Sequence, residues 1–330
     1  MKKCNLVILD EVNIKFDGLT STDANYVIEK TKIFDPSARH TAAYKLKQWD
    51  GKESNFKKDG RGYYYMLNDL LPIVIDDLGY EVSIEDRRDD VVTPDDVDSD
   101  FLSDFGITLE GHQIVGINNI IRHKKGILEM ATSSGKTITG AAIIKSFESE
   151  YDFITIVPSE KLVKQTAETY EFLGIDVGII HGKITGNTRK NNLKKKHIVV
   201  TWQTLNRNRE GLERFRGVIY DEAHEMGDTM YDVLGNNLSR CLVRVGLTGT
   251  MITKNKLKNQ KICCCIGGDI VHSVSAKAMM DIGFVSDLDI TMQPFDHNIE
   301  LPMGFNGLDW DDENRYLLGN PHRIEAIVNY

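Results

Sequence analysis

Gly135-Lys136-Thr137 closes a hydroxyl-rich loop, Ala131-Thr132-Ser133-Ser134, that joins an apolar stretch at residues 126–130 to a second one at 138–147. A strand feeding a helix through such a loop turns backbone N–H groups toward an anion at the helix N-terminus, where the helix also carries partial positive charge. Phosphate is the natural occupant. Gly135 permits the turn, Lys136 has the reach for β and γ phosphates, Thr137 suits Mg²⁺, and Thr132, Ser133 and Ser134 complete the cradle. Two positions depart from the usual pattern. Met130 stands five residues before Gly135, where glycine is usual, and Ser133 stands where many such loops have another glycine.

Eighty-five residues downstream of Lys136, the apolar run Val218-Ile219-Tyr220 ends in Asp221-Glu222-Ala223-His224. An apolar strand ending in two acids sets both carboxylates at its C-terminal edge, where α/β sheets bind ligands. Asp221 is then a Mg²⁺ ligand, and Glu222 orients and deprotonates a water. Alone, either segment has a bland reading, a chance Gly-Lys-Thr or a pair of surface acids. Their combination points to ATP hydrolysis with Lys136, Asp221 and Glu222 as the catalytic groups.

Such residues need a parallel sheet to hold them. Short apolar runs at 126–130, 153–157, 177–180, 197–200, 218–220 and 242–247 are spaced by segments of helical length, which predicts strands covered by helices on both faces. Residues 1–84 lack that rhythm and read as a small α+β unit. Alternation at Val7, Leu9, Val12, Ile14 and Phe16 predicts a strand or hairpin, 21–32 a helix capped near Ser21 or Thr22, 67–78 another helix, and 80–84 a strand. Turn residues at Trp49-Asp50-Gly51 and Lys58-Asp59-Gly60 suit hairpins. Between 85 and 104 the chain carries nine acidic residues against Arg87 and Arg88, the composition of a solvated linker.

The 330 residues are 41% apolar and carry a net charge of -9, which excludes a protein coated in basic surface. Charge is uneven, however. Residues 32–61 hold eight basic against four acidic side chains, interleaved with Tyr44 and Trp49 and followed by Tyr63, Tyr64 and Tyr65. That mixture suits a nucleic-acid surface, with Lys45, Trp49, Lys52 and Lys57 as contacts, and equally a solvated hairpin over a small aromatic core. Further basic clusters stand at Arg189, Lys190 and 194–196, and at Lys254, Lys256, Lys258 and Lys261. No run approaches the ~20 apolar residues of a membrane span, and the start lacks a signal-peptide pattern, so a soluble, cytoplasmic protein without a membrane partner is expected. Cys4 and Cys241 stand apart, while Cys263, Cys264 and Cys265 are adjacent, a spacing unsuited to zinc that predicts a buried strand.

From about Leu109 onward the sequence resembles the superfamily 2 helicases through several segments in that family's order. Leu109-Glu110-Gly111-His112-Gln113 resembles the adenine-reading segment, which implies Gln113 as the adenine contact. Val157-Pro158-Ser159, followed by Gln165, and Thr201-Trp202-Gln203-Thr204 resemble two segments that grip the nucleic-acid backbone. Leu247-Thr248-Gly249-Thr250 resembles the motif that couples hydrolysis to strand movement, in which His224 would join Thr248 and Thr250. Trp202 by itself reads as core. In the first 84 residues, Tyr44-Lys45, Trp49-Asp50-Gly51-Lys52, Asn68 to Pro72 and Leu78-Gly79-Tyr80 resemble the N-terminal domain of UvsW-type phage recombination helicases.

The resemblance implies a RecA-like P-loop sheet at 105–300, preceded by the small α+β DNA-binding domain and the linker, and followed at 301–330 by a connector into a second RecA-like domain. Residues 284–290 read as the end of the first, and Asn320-Pro321-His322-Arg323-Ile324 as the helix that begins the second. It also implies ATP and Mg²⁺ as cofactors and branched or duplex DNA as partner. The activity implied is ATP-driven fork regression, Holliday junction migration and R-loop unwinding, by a monomer working beside recombination or replication proteins in a host cytoplasm. No Gln/Arg-x-x-Gly-Arg-x-x-Arg motif is present, so the expectation is a first part of a longer helicase, nearly inactive in unwinding alone. The motor of a restriction or repair nuclease, a nucleotide-switched DNA-binding module without catalysis, and RNA as substrate stay open as alternatives.

Overall fold

A computed structural model describes residues 2–250, 255–281 and 283–284, all within a compact unit that extends to Val285. The expectations for Lys254, for 285–290 and for 301–330 lie outside the described residues.

The chain opens with β1 (Lys2–Ile8) and β2 (Asn13–Asp17), an antiparallel hairpin turned by Asp10, whose carboxylate accepts from the backbone N–H groups of Val12 and Asn13. Helix α1 (Ser21–Thr31) follows, capped by Thr20, one residue before the expected position. The basic stretch is a small lobe: β3 (Ile33–Phe34), α2 (Ala42–Lys45) and β4 (Lys52–Glu53), with β3 and β4 antiparallel. Next come β5 (Arg61–Tyr63), α3 (Leu67–Pro72), continued by a wider helical turn Ile73–Asp77, and β6 (Tyr80–Asp86). The small sheet has the order β5-β2-β1-β6, with β6 parallel to β1.

The acidic stretch is anchored rather than loose. Val97 and Leu102 are buried in the large core, Asn118 bonds both backbone groups of Val97, and Tyr151 accepts from the Val92 N–H. Acidic side chains face water while every few residues one apolar side chain turns inward, a spacing too sparse to stand out in composition.

The large-sheet region comprises α4 (Gly111–His123), β7 (Lys125–Met130), α5 (Lys136–Phe147), β8 (Phe153–Val157), α6 (Glu160–Phe172), β9 (Val177–Ile180) and α7 (Gly186–Asn192). It continues with β10 (His197–Thr201), α8 (Trp202–Arg207), β11 (Gly217–Asp221), α9 (Asp228–Asp232), β12 (Val243–Thr248), α10 (Lys256–Ile266), β13 (Ile270–Val274) and α11 (Ala276–Asp281). Seven described strands form a wholly parallel sheet ordered β13-β7-β12-β11-β8-β10-β9, with a buried apolar cluster on each face. Six of these strands coincide with the apolar runs, because parallel strands covered on both faces carry apolar side chains on both. Described helices are too short or too polar to cross a membrane.

The cysteine run corrects an expectation: Cys263, Cys264 and Cys265 are buried, but in α10 and not in a strand. Asn255 caps that helix through the Lys258 N–H, and left-handed Gly267 ends it. Three consecutive residues of a helix point in three directions, so burying all three requires cover on several sides. Cys263 and Cys265 pack into the large-sheet core, while Cys264 packs into the core of the small sheet.

Candidate nucleotide site and nucleic-acid face

The phosphate-type loop leaves β7 at its C-terminal end. Ala131 donates its N–H to Val274 of the neighbouring β13, and Ser134 closes a turn onto the Ala131 carbonyl. Two residues then take left-handed backbone, Ser133 at φ 68° and Gly135 at φ 81°. Glycine relieves the second but not the first, so Ser133 carries backbone strain of roughly 1 kcal/mol. A Cβ on Gly135 would also come within 2.2 Å of Gln113 Nε2.

Gln113 reaches the site from α4, in the role of a buttress. Its Oε1 accepts from the Glu110 N–H at 2.9 Å, completing a capping box, and its Nε2 donates to the Ser134 carbonyl at 3.3 Å. His112 contributes Nε2 to the same carbonyl at 2.9 Å. His112 stands in the Leu109–Gln113 segment, but its contact is not legible there because it is made across 22 residues to a backbone oxygen.

Lys136 Nζ lies 3.3 Å from the Met130 carbonyl and 3.8 Å from Glu222 Oε1, a loose pairing for a half-buried ammonium. Across the sheet, Asp221 ends β11 in register with Leu247, one residue before Thr248 on β12. Burial, reinforced by the neighbouring Glu222 charge, pushes the Asp221 carboxyl up to about 6. Glu222 itself takes left-handed backbone at φ 52°, with its N–H bonded to Asp221 Oδ1 at 3.0 Å.

His224, Thr248 and Thr250, expected to act in coupling, form a connected network. His224 Nδ1 lies 3.4 Å from Glu222 Oε2 and 2.8 Å from Thr248 Oγ1. Thr248 donates to the Thr250 carbonyl at 3.0 Å and accepts from the Thr250 N–H at 3.3 Å. A hydroxyl has one proton. Once Thr248 gives it to Thr250, His224 must be the donor at Nδ1.

Lys136, Glu222, His224 and Thr250 line a cavity of about 440 Å³, together with Glu129 and Ser273, which sequence reading missed. Ser273 donates to Glu129 at 2.7 Å. β13, which supplies Ser273, escaped notice because it is a half-exposed edge strand with polar His272 and Ser273 in place of an apolar run. A larger cavity of about 750 Å³ opens at the other end of the sheet, around Glu11, Arg88, Lys125 and Asp269, and contains none of these chemical groups.

The residues fit a nucleotide with its metal. Ser134 Oγ is buried in the loop with no hydrogen-bond partner, and Asp221 is a desolvated carboxylate lacking an ion-pair partner among the described residues. No cluster of three His, Cys, Asp or Glu able to hold a metal occurs among the described residues. A bound ion at Thr137 and Asp221 therefore needs phosphate oxygens to complete its shell.

On the same edge, Pro158 and Ser159 follow β8, and Ser159 caps α6 through the Leu162 N–H. Gln203 Nε2 reaches the Pro158 carbonyl at 3.4 Å, joining the two grip-like segments. Ser159, Gln165 and Gln203 are exposed. Thr201 and Thr204 are instead buried, with their hydroxyls bonded to each other at 2.9 Å, so they hold the turn and do not present side chains outward. Trp202, expected in the core, is 36% exposed because it opens α8 on the outer side of that turn.

Lys45, Lys52 and Lys57 are exposed on the N-terminal lobe, whereas Trp49 is half-buried and ties its indole N–H to the Lys52 carbonyl. Lys32 and Arg61 are neutralised by Asp50 and Asp59. The lobe is fixed to α10 by Lys261–Glu53 at 3.1 Å, Asn55–Gln260 at 2.7 Å and Asn255–Asp35 at 3.4 Å. In the second basic cluster, Lys195 pairs with Asp176 and Lys196 bonds the Glu148 carbonyl.

Residues 106–253 match the family model of the type III restriction enzyme res subunit. The fold resembles the UvsW helicase of bacteriophage T4 at 18% identity and TM-score 0.64, covering 81% of this chain and 99% of that one. A second structure, of T4 UvsW, aligns at 19% identity and TM-score 0.63, again over 81% of this chain but 56% of its own. No curated protein matches the sequence. The chain therefore has the fold of the T4 UvsW helicase, a RecA-like parallel sheet joined to a smaller mixed sheet, with the res-subunit match falling on residues 106–253 of the large-sheet region.

Proposed function

We propose that this chain is the ATP-hydrolysing part of a DNA-remodelling motor that acts on branched DNA. The observation that carries the reading is the linked edge of the large sheet, where the loop of Lys136, the acids Asp221 and Glu222, and the His224–Thr248–Thr250 network meet. Lys136 would exchange the weak Glu222 contact for the β and γ phosphates, and Gln113 would trade its Ser134 bond for adenine. Mg²⁺ held by Thr137 and Asp221 would supply neutralisation of charge on the phosphates. Glu222, freed from Lys136, orients and deprotonates the attacking water. His224 then carries the change at Glu222 to Thr248 and Thr250.

DNA is favoured by the exposed Ser159, Gln165 and Gln203 and by Lys45, Lys52 and Lys57 on a lobe attached to α10. The Glu222→Gln variant is expected to bind ATP yet lose DNA-stimulated phosphate release. Unchanged turnover in that variant would falsify the role given to Glu222. Stimulation of turnover is expected to fall in the order forked DNA, linear duplex, RNA. RNA leading that series would overturn the DNA reading.

A second reading, the motor of a restriction enzyme, is favoured by the res-subunit match. It predicts that linear duplex stimulates as well as a fork, which separates the two within the same assay.

A further inference from the structure

A cavity of about 310 Å³ opens where the β5 side of the small sheet faces the helical turn Val233–Asn237 that follows α9. Exposed Lys57 and Arg61 and half-buried Tyr63 and Tyr231 line it, with Asn13 and Asn236 adding amides. Its wall is bare at Gly235. A Cβ built there meets no atom within 4 Å, and the backbone is not left-handed, so a side chain would project into open space. Asp232 also lines the cavity, but Arg209 pairs with it and Asn236 Nδ2 bonds it at 2.6 Å.

The cavity is connected to the grip-like edge. Arg209 Nη2 donates to Asn206 of α8 at 2.8 Å, and α8 carries exposed Trp202 and Gln203. Polar side chains therefore run from α8 through Arg209, Asp232 and Asn236 to the pocket. Tyrosine rings offer stacking faces, and the asparagine amide oxygens accept from a base edge, while Asn13 Nδ2 is held by the Gly235 carbonyl at 2.7 Å. Lys57, beside an Arg61 that pairs with Asp59 through Nε, suits a phosphate. At the small end of the ~300–1,000 Å³ range of ligand pockets, the cavity has room for a single base.

We propose that this pocket is a subsite for one unpaired nucleotide of the bound DNA, its base against Tyr63 and Tyr231 and its phosphate at Lys57 and Arg61. The proposal rests on the DNA-binding reading above and assigns the lobe a specific task, that of marking where pairing ends.

The test uses the 330-residue chain with a fork carrying 2-aminopurine in one unpaired arm and a blunt duplex of matching sequence. Stacking of one base is worth ~1–3 kcal/mol, so Gly235→Leu is expected to weaken fork binding about tenfold and to abolish the change in 2-aminopurine fluorescence. Affinity for the blunt duplex should stay within about twofold of wild type. Wild-type fork affinity and fluorescence in Gly235→Leu overturn the subsite alone. If circular dichroism shows that Gly235→Leu does not fold, the exposed pair Lys57→Ala/Arg61→Ala decides, with a salt slope on the fork reduced by about 1 expected and an unchanged slope overturning the proposal. A wild-type chain that binds neither DNA overturns the nucleic-acid reading and the subsite with it.

Discussion

The two ends of the large parallel sheet are built on opposite terms. At the C-terminal edge, polar groups are left strained or short of partners. Ser133 and Glu222 hold left-handed backbone, Ser134 Oγ is buried without a partner, and Lys136 meets Glu222 only at 3.8 Å. At the N-terminal edge, satisfaction is close to complete. Lys125 pairs with Glu11, and Tyr65 donates to Asp269 at 2.5 Å. The fully buried Arg244 guanidinium donates to the carbonyls of Leu234, Leu238 and Cys265. The left-handed non-glycine residue at that end, Lys124, is a helix cap with its N–H bonded to Ile120. Unmet demand marks the edge that awaits a ligand, and met demand marks the seam that holds two sheets in one body.

That contrast can be broken by substitution. At the open edge, Lys136→Ala should lower ATP turnover by roughly 10²–10³-fold while leaving the melting temperature near wild type. A large loss of stability there would erase the distinction. At the seam, Arg244→Leu strands three buried carbonyls and should cost about 3–5 kcal/mol in a urea titration. A loss under about 1 kcal/mol would show that the carbonyls find other partners.

His197, at the start of β10, is also part of the closed edge. Its Nδ1 accepts from the Phe153 N–H at 3.2 Å, and burial lowers its pKa to about 4. A folded pKa below the unfolded value of 6.5 means that the stabilisation is complete above pH 6.5 and is lost as pH falls through 4. The loss is up to about 3 kcal/mol, and His197→Asn should flatten the pH profile of unfolding in that window. The smallest effect belongs to the open edge. Ser133→Gly should raise stability by about 1 kcal/mol, since glycine takes φ 68° without strain. A destabilised Ser133→Gly would mean that the serine makes a contact outweighing its backbone.

Much of the fold was readable because its buried parallel strands are short unbroken apolar runs. What escaped was decided by context. β13 pairs with β7 at the rim and needs little hydrophobicity, so Ser273 was missed as a lining residue. The cysteine run was read as strand on its burial, although Asn255 and Gly267 mark the ends of a helix. For the site, residue types and spacing pointed to Lys136, Asp221 and Glu222, and the family resemblance to His224 and Thr248; strand ends bring all five to one edge. Orientation within turns was not legible. Thr201 and Thr204 face inward and Trp202 outward, and only the backbone of the β10–α8 junction settles which.

Helix α10 reaches into two cores at once, with Cys264 filling the small sheet's interior some 180 residues after that sheet's last strand has been made. During synthesis, residues 2–86 therefore cannot finish their own packing. The small sheet must wait at the ribosome for the large sheet and α10 to arrive, and a nascent chain arrested before residue 266 should present it to proteases as an unfinished fold.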